Sequence, residues 1–507
     1  MVRLLKSVSK SIGKGISTDP EMQKIIGRYP RFFKFVRKRL TPDEQFGLYL
    51  TVGASIAMLF VYFFFSILES LITNESIIQS DLRIINLVQI FRTPRLNQAM
   101  LFITYLGKWE IVSIALAIVA ILLALLKRWR YLIVLLTSVG GGELFILVMK
   151  HAIQRQRPPL INSLVFENSF SFPSGHSFVA FSFYGLLAYF LIRATKRKTA
   201  KIAATLCAVL LIGTIGLSRI YLGVHWPSDV LASFAAGAAW LSAFITALEI
   251  RRKFHPRLHS LPFMRKYNVL LLGFLLCYIW GFFVWYYFYN HPLKPQIITS
   301  QSQIMISPDD VGNDLFAFLP RTSETITGEA MEPIGVIVVA TEENLNKAFT
   351  FNSWCESDPI TPRTFWKLAK TSICNKPYDQ APGTPSFWNA IPNDFSFEQP
   401  TDTGSSRQRH HIHFWKTPFT LSDERKVWMG TAHFDKDIKL IPGVFLPTHV
   451  IDPAIDKERD RIKDELGKTN LVESMKEFQI VEPTLGSNQA GDQFFTDGKA
   501  YIFFLRN

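Results

Sequence analysis

The chain has 507 residues, enough for more than one domain, and carries 55 Lys and Arg against 41 Asp and Glu, a net charge of +14. Residues 1–40 alone hold eleven Lys and Arg against Asp19 and Glu21, and long uncharged apolar runs follow, so the basic head reads as membrane-facing and not as a nucleic-acid arm. A cleavable secretory signal is also excluded, because the first strongly apolar run starts only near Phe46 and is far longer than a signal core.

Taken in chain order, residues 1–44 are a basic segment whose stretch from Ile25 to Leu40 either lies on an anionic membrane face or stays solvated. Seven apolar runs come next: about 46–72, 109–126, 131–149, 178–194, 202–220, 228–249 and 268–289. Each approaches the roughly 20 residues that a spanning helix needs, and all seven are predicted to span. Gly140, Gly141 and Gly142 in the third and "ASFAAGAAW" in the sixth would let helices approach closely in lipid, and "WYYFY" at 285–289 suits an interfacial belt. Cys207 and Cys277 sit inside such runs as small packing residues. The basic loops "KRWR" at 127–130, "RATKRKTAK" at 193–201 and "RRKFHPR" at 251–257 alternate with the others, which predicts that they and the N-terminus face the cytoplasm. Loops 73–108, 150–177 and 218–227, with everything after 290, then lie on the opposite side.

From about Lys294 the composition changes to Pro, Asp, Thr and Asn with short alternating runs such as "IGVIVVA" at 334–340, "HHIHFW" at 410–415 and "KAYIFFL" at 499–505. These predict a soluble α/β or α+β domain. In an oxidising compartment Cys355 and Cys374 would be able to close a loop of about 20 residues, contributing about 3 kcal/mol.

Two of the outer loops carry polar constellations at the membrane boundary. One runs from "KHAIQRQRPP", with Lys150 and Arg157, to "FPSGHS" at 172–177; the other is "SRIYLGVHWPSD", with Ser218, Arg219, His225 and Asp229. Lys150, Arg157 and Arg219 describe an anion pocket, since arginine's planar fork matches phosphate oxygens. Ser174 stands at an N-cap position, Gly175 lets a backbone N–H approach closely, and the following helix points its positive end at the same place. Asp229 lies one helical turn after His225 and is placed to fix its tautomer, leaving the other ring nitrogen as a nucleophile, while His176 is left as proton donor to the leaving oxygen. The implied chemistry is in-line phosphoryl transfer to a histidine followed by hydrolysis. Two histidines and one Asp are also metal-ligand types, but three neighbouring cations would repel a divalent ion, so neither metal nor cofactor is expected.

"KHAIQRQRP" at 150–158, "PSGH" at 173–176 and "SRIYLGVHWPSD" at 218–229 resemble the signature of the type 2 phosphatidic acid phosphatase superfamily, KxxxxxxRP, PSGH and SRxxxxxHxxxD, in every residue type and spacing. The resemblance covers about 45–250, including "RTPRLNQAMLFITYLG" at 92–107. It implies a six-helix core and a metal-independent phosphatase with His225 as nucleophile, Asp229 orienting it, His176 as general acid, and Lys150, Arg157, Ser174, Gly175 and Arg219 on the phosphate. The tail is similar to the LssY-type C-terminal domain fused to such phosphatases in bacteria, on "RQRHHIHFW" at 407–415, "VWMGTAHFDKDI" at 427–438 and "THVIDPAIDKERD" at 448–460. There His411 and His413 share a strand face and, with His433, Asp435, His449 or Asp452, offer a metal or headgroup site, or else form a structural network.

The fold class expected is therefore an all-α polytopic membrane protein, with a phosphatase core at 45–250 and a seventh helix within 251–293, followed by a soluble domain at 294–507. In bacterial terms this is a multi-pass inner-membrane protein with a periplasmic active site and C-terminal domain. The function expected is hydrolysis of the terminal phosphate of a membrane lipid phosphate such as phosphatidic acid, phosphatidylglycerol phosphate or an isoprenyl diphosphate, with the bilayer as the only other partner and no nucleic acid. Two other readings use the same residues: a phosphotransferase with a hydroxyl acceptor in place of water, and a non-enzymatic membrane-anchored binding module.

Overall fold

The computed structural model describes residues 20–506 apart from 42–46, 74–75, 160–161, 255–265, 292, 294–302, 313–314, 375, 403–406, 441–446 and 489. Among the described residues five helices are long and apolar enough to cross a membrane: Leu48–Ile72, Trp129–Ile153, Gly175–Ala194, Lys198–Tyr221 and Pro227–Arg252. A sixth crossing arises if Pro94–Leu106 and Trp109–Leu125, bent by 47°, are taken as one. The apolar run expected to span at 109–126 forms helix Trp109–Leu125. This helix has 17 residues, at the short end of what a bilayer needs, and it follows Pro94–Leu106 across the 47° bend. That preceding helix starts where Pro94 follows the N-cap Thr93, whose side chain accepts from the Leu96 N–H. The seventh apolar run forms helix Lys266–Asn290, whose N-terminal side chains lie outside the described residues. The small residues pack as their composition implies: the Phe178 ring lies against Gly142 and the Phe181 ring against Gly237, at distances where a Cβ would collide. Before the spans, helix Pro30–Leu40 has no buried residue and exposes Phe32, Phe35 and Leu40 among its Lys and Arg, as an interfacial helix would.

The C-terminal region is built on a mixed sheet. Strands Val472–Gln479, Lys499–Leu505, Val336–Ala340, Lys426–Leu440, Arg409–Thr420, Phe395–Pro400 and Cys355–Glu356 neighbour one another in that order. Lys499–Leu505 runs parallel to Val336–Ala340 and the other pairs along this path are antiparallel. Alternate residues enter two apolar cores, one holding Val338, Phe397, Phe414 and Trp428 with Phe349 and Ile462, the other Ile337, Val339, Trp415 and Met429 with Phe316. Both faces are covered, which is why strand Val336–Ala340 is apolar throughout. Cys355 and Cys374, whose spacing allowed a disulfide, stand as separate thiols. Cys355 is in the edge strand opposite Glu398, whereas the helix Pro362–Ile373 carries Cys374 to its exposed far end.

Helix Ser76–Ile90 joins the helical and sheet parts. Its Arg83 forms a buried ion pair with Glu324, with side chains 5% and 14% exposed, and its Asn86 donates to the Ala390 carbonyl at 2.8 Å. Removing one partner of a buried pair strands the other charge, at a cost of about 3–5 kcal/mol. Glu324→Leu is therefore expected to lower the unfolding temperature of the full-length protein markedly. The double variant Arg83→Met/Glu324→Leu should recover most of the loss, as read by a double-mutant cycle.

Candidate active site

The site forms where one end of four helices meets two loops. Helix Trp129–Ile153 brings Lys150, the loop after it Arg157, helix Gly175–Ala194 His176, and helix Lys198–Tyr221 Arg219. The turn between Tyr221 and Pro227 carries His225. Gly223 shapes this turn with φ of +72°, and its Cα lies so close to the Asn162 carbonyl that a Cβ would sit 1.9 Å from the oxygen. Pro227 then opens the next helix, which places Asp229 one turn beyond His225.

His225 and Asp229 are buried, at 1% and 0% exposure. His225 Nδ1 is 3.3 Å from Asp229 Oδ2, which also accepts the Trp226 N–H at 3.0 Å. With the proton on Nδ1, the lone pair resides on Nε2, which faces Arg157 Nη1 at 3.3 Å. Burial, followed by the charges of Arg157, Arg219 and Lys150, holds the His225 imidazole well below its usual pKa, so the ring is neutral.

The three cations are held by neighbouring chain. Lys150 donates to Ser169 Oγ and the Phe170 carbonyl, at 2.9 and 2.6 Å, and Arg157 to the Ser169 carbonyl and Oγ, at 2.6 and 3.0 Å. Arg219 donates to Thr104 Oγ1 at 2.8 Å and pairs with Glu167 at 2.7 Å. Ser174 is the N-cap residue by position, but its side chain does not cap the helix: its Oγ accepts from Ser177 Oγ at 3.0 Å. The first-turn N–H groups, Gly175 among them, therefore point outward without a side-chain cap, as an anion would require. His176 is partly buried, and its Nε2 has no hydrogen-bond partner among the described residues. Just beyond it the helix opens into a π-helical segment over Ala180–Gly185 before resuming as Leu186–Ala194. Lys150, Arg157, His176, Arg219, His225 and Asp229 thus lie near one another.

Four further residues belong to the site and were not singled out in the sequence. Arg155 bridges Asp229 Oδ1 and Asp81 Oδ2, both at 2.7 Å, and donates to Ser228 Oγ. Asp81 is buried on helix Ser76–Ile90 and accepts from the Ser228 N–H at 2.9 Å and from its hydroxyl. Burial alone would raise the Glu167 pKa, but Arg219, then His176 and Arg157, overcome it and hold the carboxyl at about 2. Two weak signals were present: "QRQRP" has a second arginine two residues before Arg157, and Asp81 is the one carboxylate of helix Ser76–Ile90.

In the sheet region His411 and His413 share a face with His433 and Asp435, whereas Asp452 pairs with Lys436 at 2.7 Å. The His449 side chain lies outside the described residues.

Comparison with known proteins agrees with this division. A family model for the PAP2 superfamily matches residues 130–253, and one described as the LssY C-terminus matches 316–500. Phosphatidylglycerophosphatase B of Bacillus subtilis (strain 168) is 37% identical over 183 residues, 35% of this chain and 87% of that protein. The undecaprenyl-diphosphatase of Sulfolobus acidocaldarius is 29% identical over 198 residues, 38% of this chain and 89% of that protein. The lipid A 1-phosphatase of Rhizobium johnstonii is 34% identical over 141 residues, 25% of this chain and 51% of that protein. Among solved structures, the transmembrane PAP2 type phosphatidylglycerolphosphate phosphatase from Bacillus subtilis aligns at 31% identity over 40% of this chain and 99% of that chain, with a TM-score of 0.37. With the three motifs intact and a relative of this similarity matched over most of its length, the chain belongs to the PAP2 superfamily.

Proposed function

We propose that the chain is an integral membrane phosphatase that removes the terminal phosphate of a lipid phosphate or isoprenyl diphosphate through a phosphohistidine on His225. The observation that carries this reading is the oriented imidazole. Asp229 holds Nδ1, and Nε2 faces Arg157 within the field of Lys150 and Arg219. Relatives named for phosphatidylglycerophosphate, undecaprenyl diphosphate and lipid A phosphate add support for a lipid substrate.

In the first step His225 Nε2 attacks phosphorus in line with the P–O bond to the lipid. That bond breaks as the N–P bond forms, and His176 gives a proton to the departing oxygen. Water then attacks the phosphohistidine with His176 taking its proton, the N–P bond breaks, and inorganic phosphate leaves. Lys150, Arg157, Arg219 and the N–H groups at Gly175 stabilise the equatorial oxygens, whose charge is spread in the transition state. A site at the ends of spanning helices suits a substrate whose chain stays in lipid, since withdrawing each buried CH₂ costs about 0.8 kcal/mol. The alternation of basic loops supports placing the site and the C-terminal region on the outer face of the inner membrane.

Full-length protein in detergent is expected to release inorganic phosphate from phosphatidic acid, phosphatidylglycerol phosphate or undecaprenyl diphosphate in the presence of EDTA. Activity that vanishes in EDTA and returns only with Mg²⁺ would overturn the cation pocket as the charge-stabilising element.

A further inference from the structure

The C-terminal sheet buries a second polar constellation that the phosphatase reading does not use. Along strand Arg409–Thr420, Arg409, His411 and His413 alternate onto one face. The register sets Glu398 of strand Phe395–Pro400 opposite His411 on one side and His433 of strand Lys426–Leu440 opposite it on the other, while Asp435 lies opposite Arg409. Burial is nearly complete: Glu398 and Asp435 are each 1% exposed, His411 2% and Arg409 3%. Carboxylates are almost never buried this far without compensation, and here two stand together.

One donor atom from each of Glu398, His411 and Asp435 lies within 4.8 Å of the other two. Arg409 bridges the two carboxylates: its Nε is 2.8 Å from Glu398 Oε2 and 3.1 Å from Asp435 Oδ2, one oxygen of each. The His411 ring is fixed as well. Its Nε2 is 2.9 Å from His413 Nε2, and the Gly383 backbone lies so close that a Cβ there would sit 2.4 Å from His411 Cε1. With the shared proton on His411 Nε2, Nδ1 presents a lone pair. That nitrogen is 2.8 Å from Glu398 Oε1, which also accepts from Ser357 Oγ at 3.1 Å. The nitrogen and the carboxylate oxygen are spaced as two ligands of one ion are.

We propose that Glu398, His411 and Asp435 hold a divalent first-row transition ion of the zinc or manganese kind in the C-terminal region. An imidazole nitrogen among two carboxylate oxygens favours such an ion over Mg²⁺, which prefers oxygen and keeps its water. Arg409 and His413 act from outside the coordination sphere, orienting the carboxylates and the imidazole. His433, whose Nε2 is 3.4 Å from Asp435 Oδ1, stands beside the remaining coordination position. The ion would fasten three neighbouring strands through one residue each.

The test uses full-length protein in detergent, without a polyhistidine tag, stripped with EDTA and dialysed against Zn²⁺ or Mn²⁺. About one ion per chain should be retained, as metal analysis reads it, with an unfolding temperature several degrees above that of the stripped protein. Glu398→Gln and His411→Gln should each lose the ion and the shift, whereas His410→Gln, on the opposite face of the same strand, should keep both. Loading with Co²⁺ gives a readout independent of any variant, through the visible ligand-field bands of nitrogen and oxygen coordination. Wild-type protein that retains no ion and shows no Co²⁺ bands overturns the site, and the cluster is then a closed network neutralised by an imidazolium. Equal retention by wild type and the two ligand variants overturns it too, since the ion then sits elsewhere.

Discussion

His225→Ala is expected to lower kcat for phosphate release from lipid phosphates by at least about 10³-fold while leaving a folded protein. Ala removes the nitrogen that attacks and leaves Asp229 with its other partners, the Arg155 guanidinium and the Trp226 N–H, so the carboxylate is not stranded. Single-turnover reaction of wild type with substrate labelled in its phosphate should trap an acid-labile, alkali-stable phosphoprotein, and the variant should form none. Turnover unchanged by the substitution would end the phosphohistidine reading. The same side chain is expected to set the acid limb of the pH profile. Attack needs the neutral ring, and a proton on it blocks the reaction; burial and the three flanking cations depress the His225 pKa well below 6.5. Loss of kcat/KM through protonation of this residue should therefore begin only at distinctly lower pH.

Asp81→Asn is the second substitution with a large expected effect, although Asp81 touches neither His225 nor the cations of the pocket. It holds Arg155 and Ser228, and Arg155 holds Asp229. The amide of Asn fits the same space but carries no charge and turns one acceptor into a donor, so Arg155 loses one of its two anchors. Outer partners of this kind are worth about 10–100-fold in activity. The fall should appear in kcat with KM nearly unchanged, because the groups that bind phosphate are not altered. Equal loss in both parameters, or a loss tracking a lower unfolding temperature, would mark Asp81 as a packing residue only.

The motif residues were legible because each motif is local. Asp229 lies four positions after His225, and a helix turns that spacing into a contact with no knowledge of the rest of the chain. Arg155 and Asp81 were not legible for the opposite reason: 74 residues separate them, and only the packing of helix Ser76–Ile90 beside the Pro227 helix brings them together. Glu167 looked like one loop residue among many until its pairing with Arg219 was seen. The spans were read from length and hydropathy alone, which cannot show that Trp109–Leu125 continues a helix begun at Pro94 across a 47° bend. In the sheet region, alternation placed His411 and His413 on one face. The partnership with Glu398 depends on strand register, which the sequence of one strand does not contain.

The π-helical segment at Ala180–Gly185 separates two helical phases within one span. Each residue of an α-helix turns the chain by about 100° and the wider π turn takes up one extra residue, so winding this segment as plain α-helix with no residue removed would rotate everything on one side of it by about that angle. Leu186 and Ala188, buried in the bundle, fix the phase of the far half. The rotation would fall on His176, swinging the imidazole away from Arg219 and Glu167. The bulge is thus a spacer that lets the helix satisfy bundle packing at one end and point its histidine at the other, two demands that a uniform helix of this sequence would not meet together.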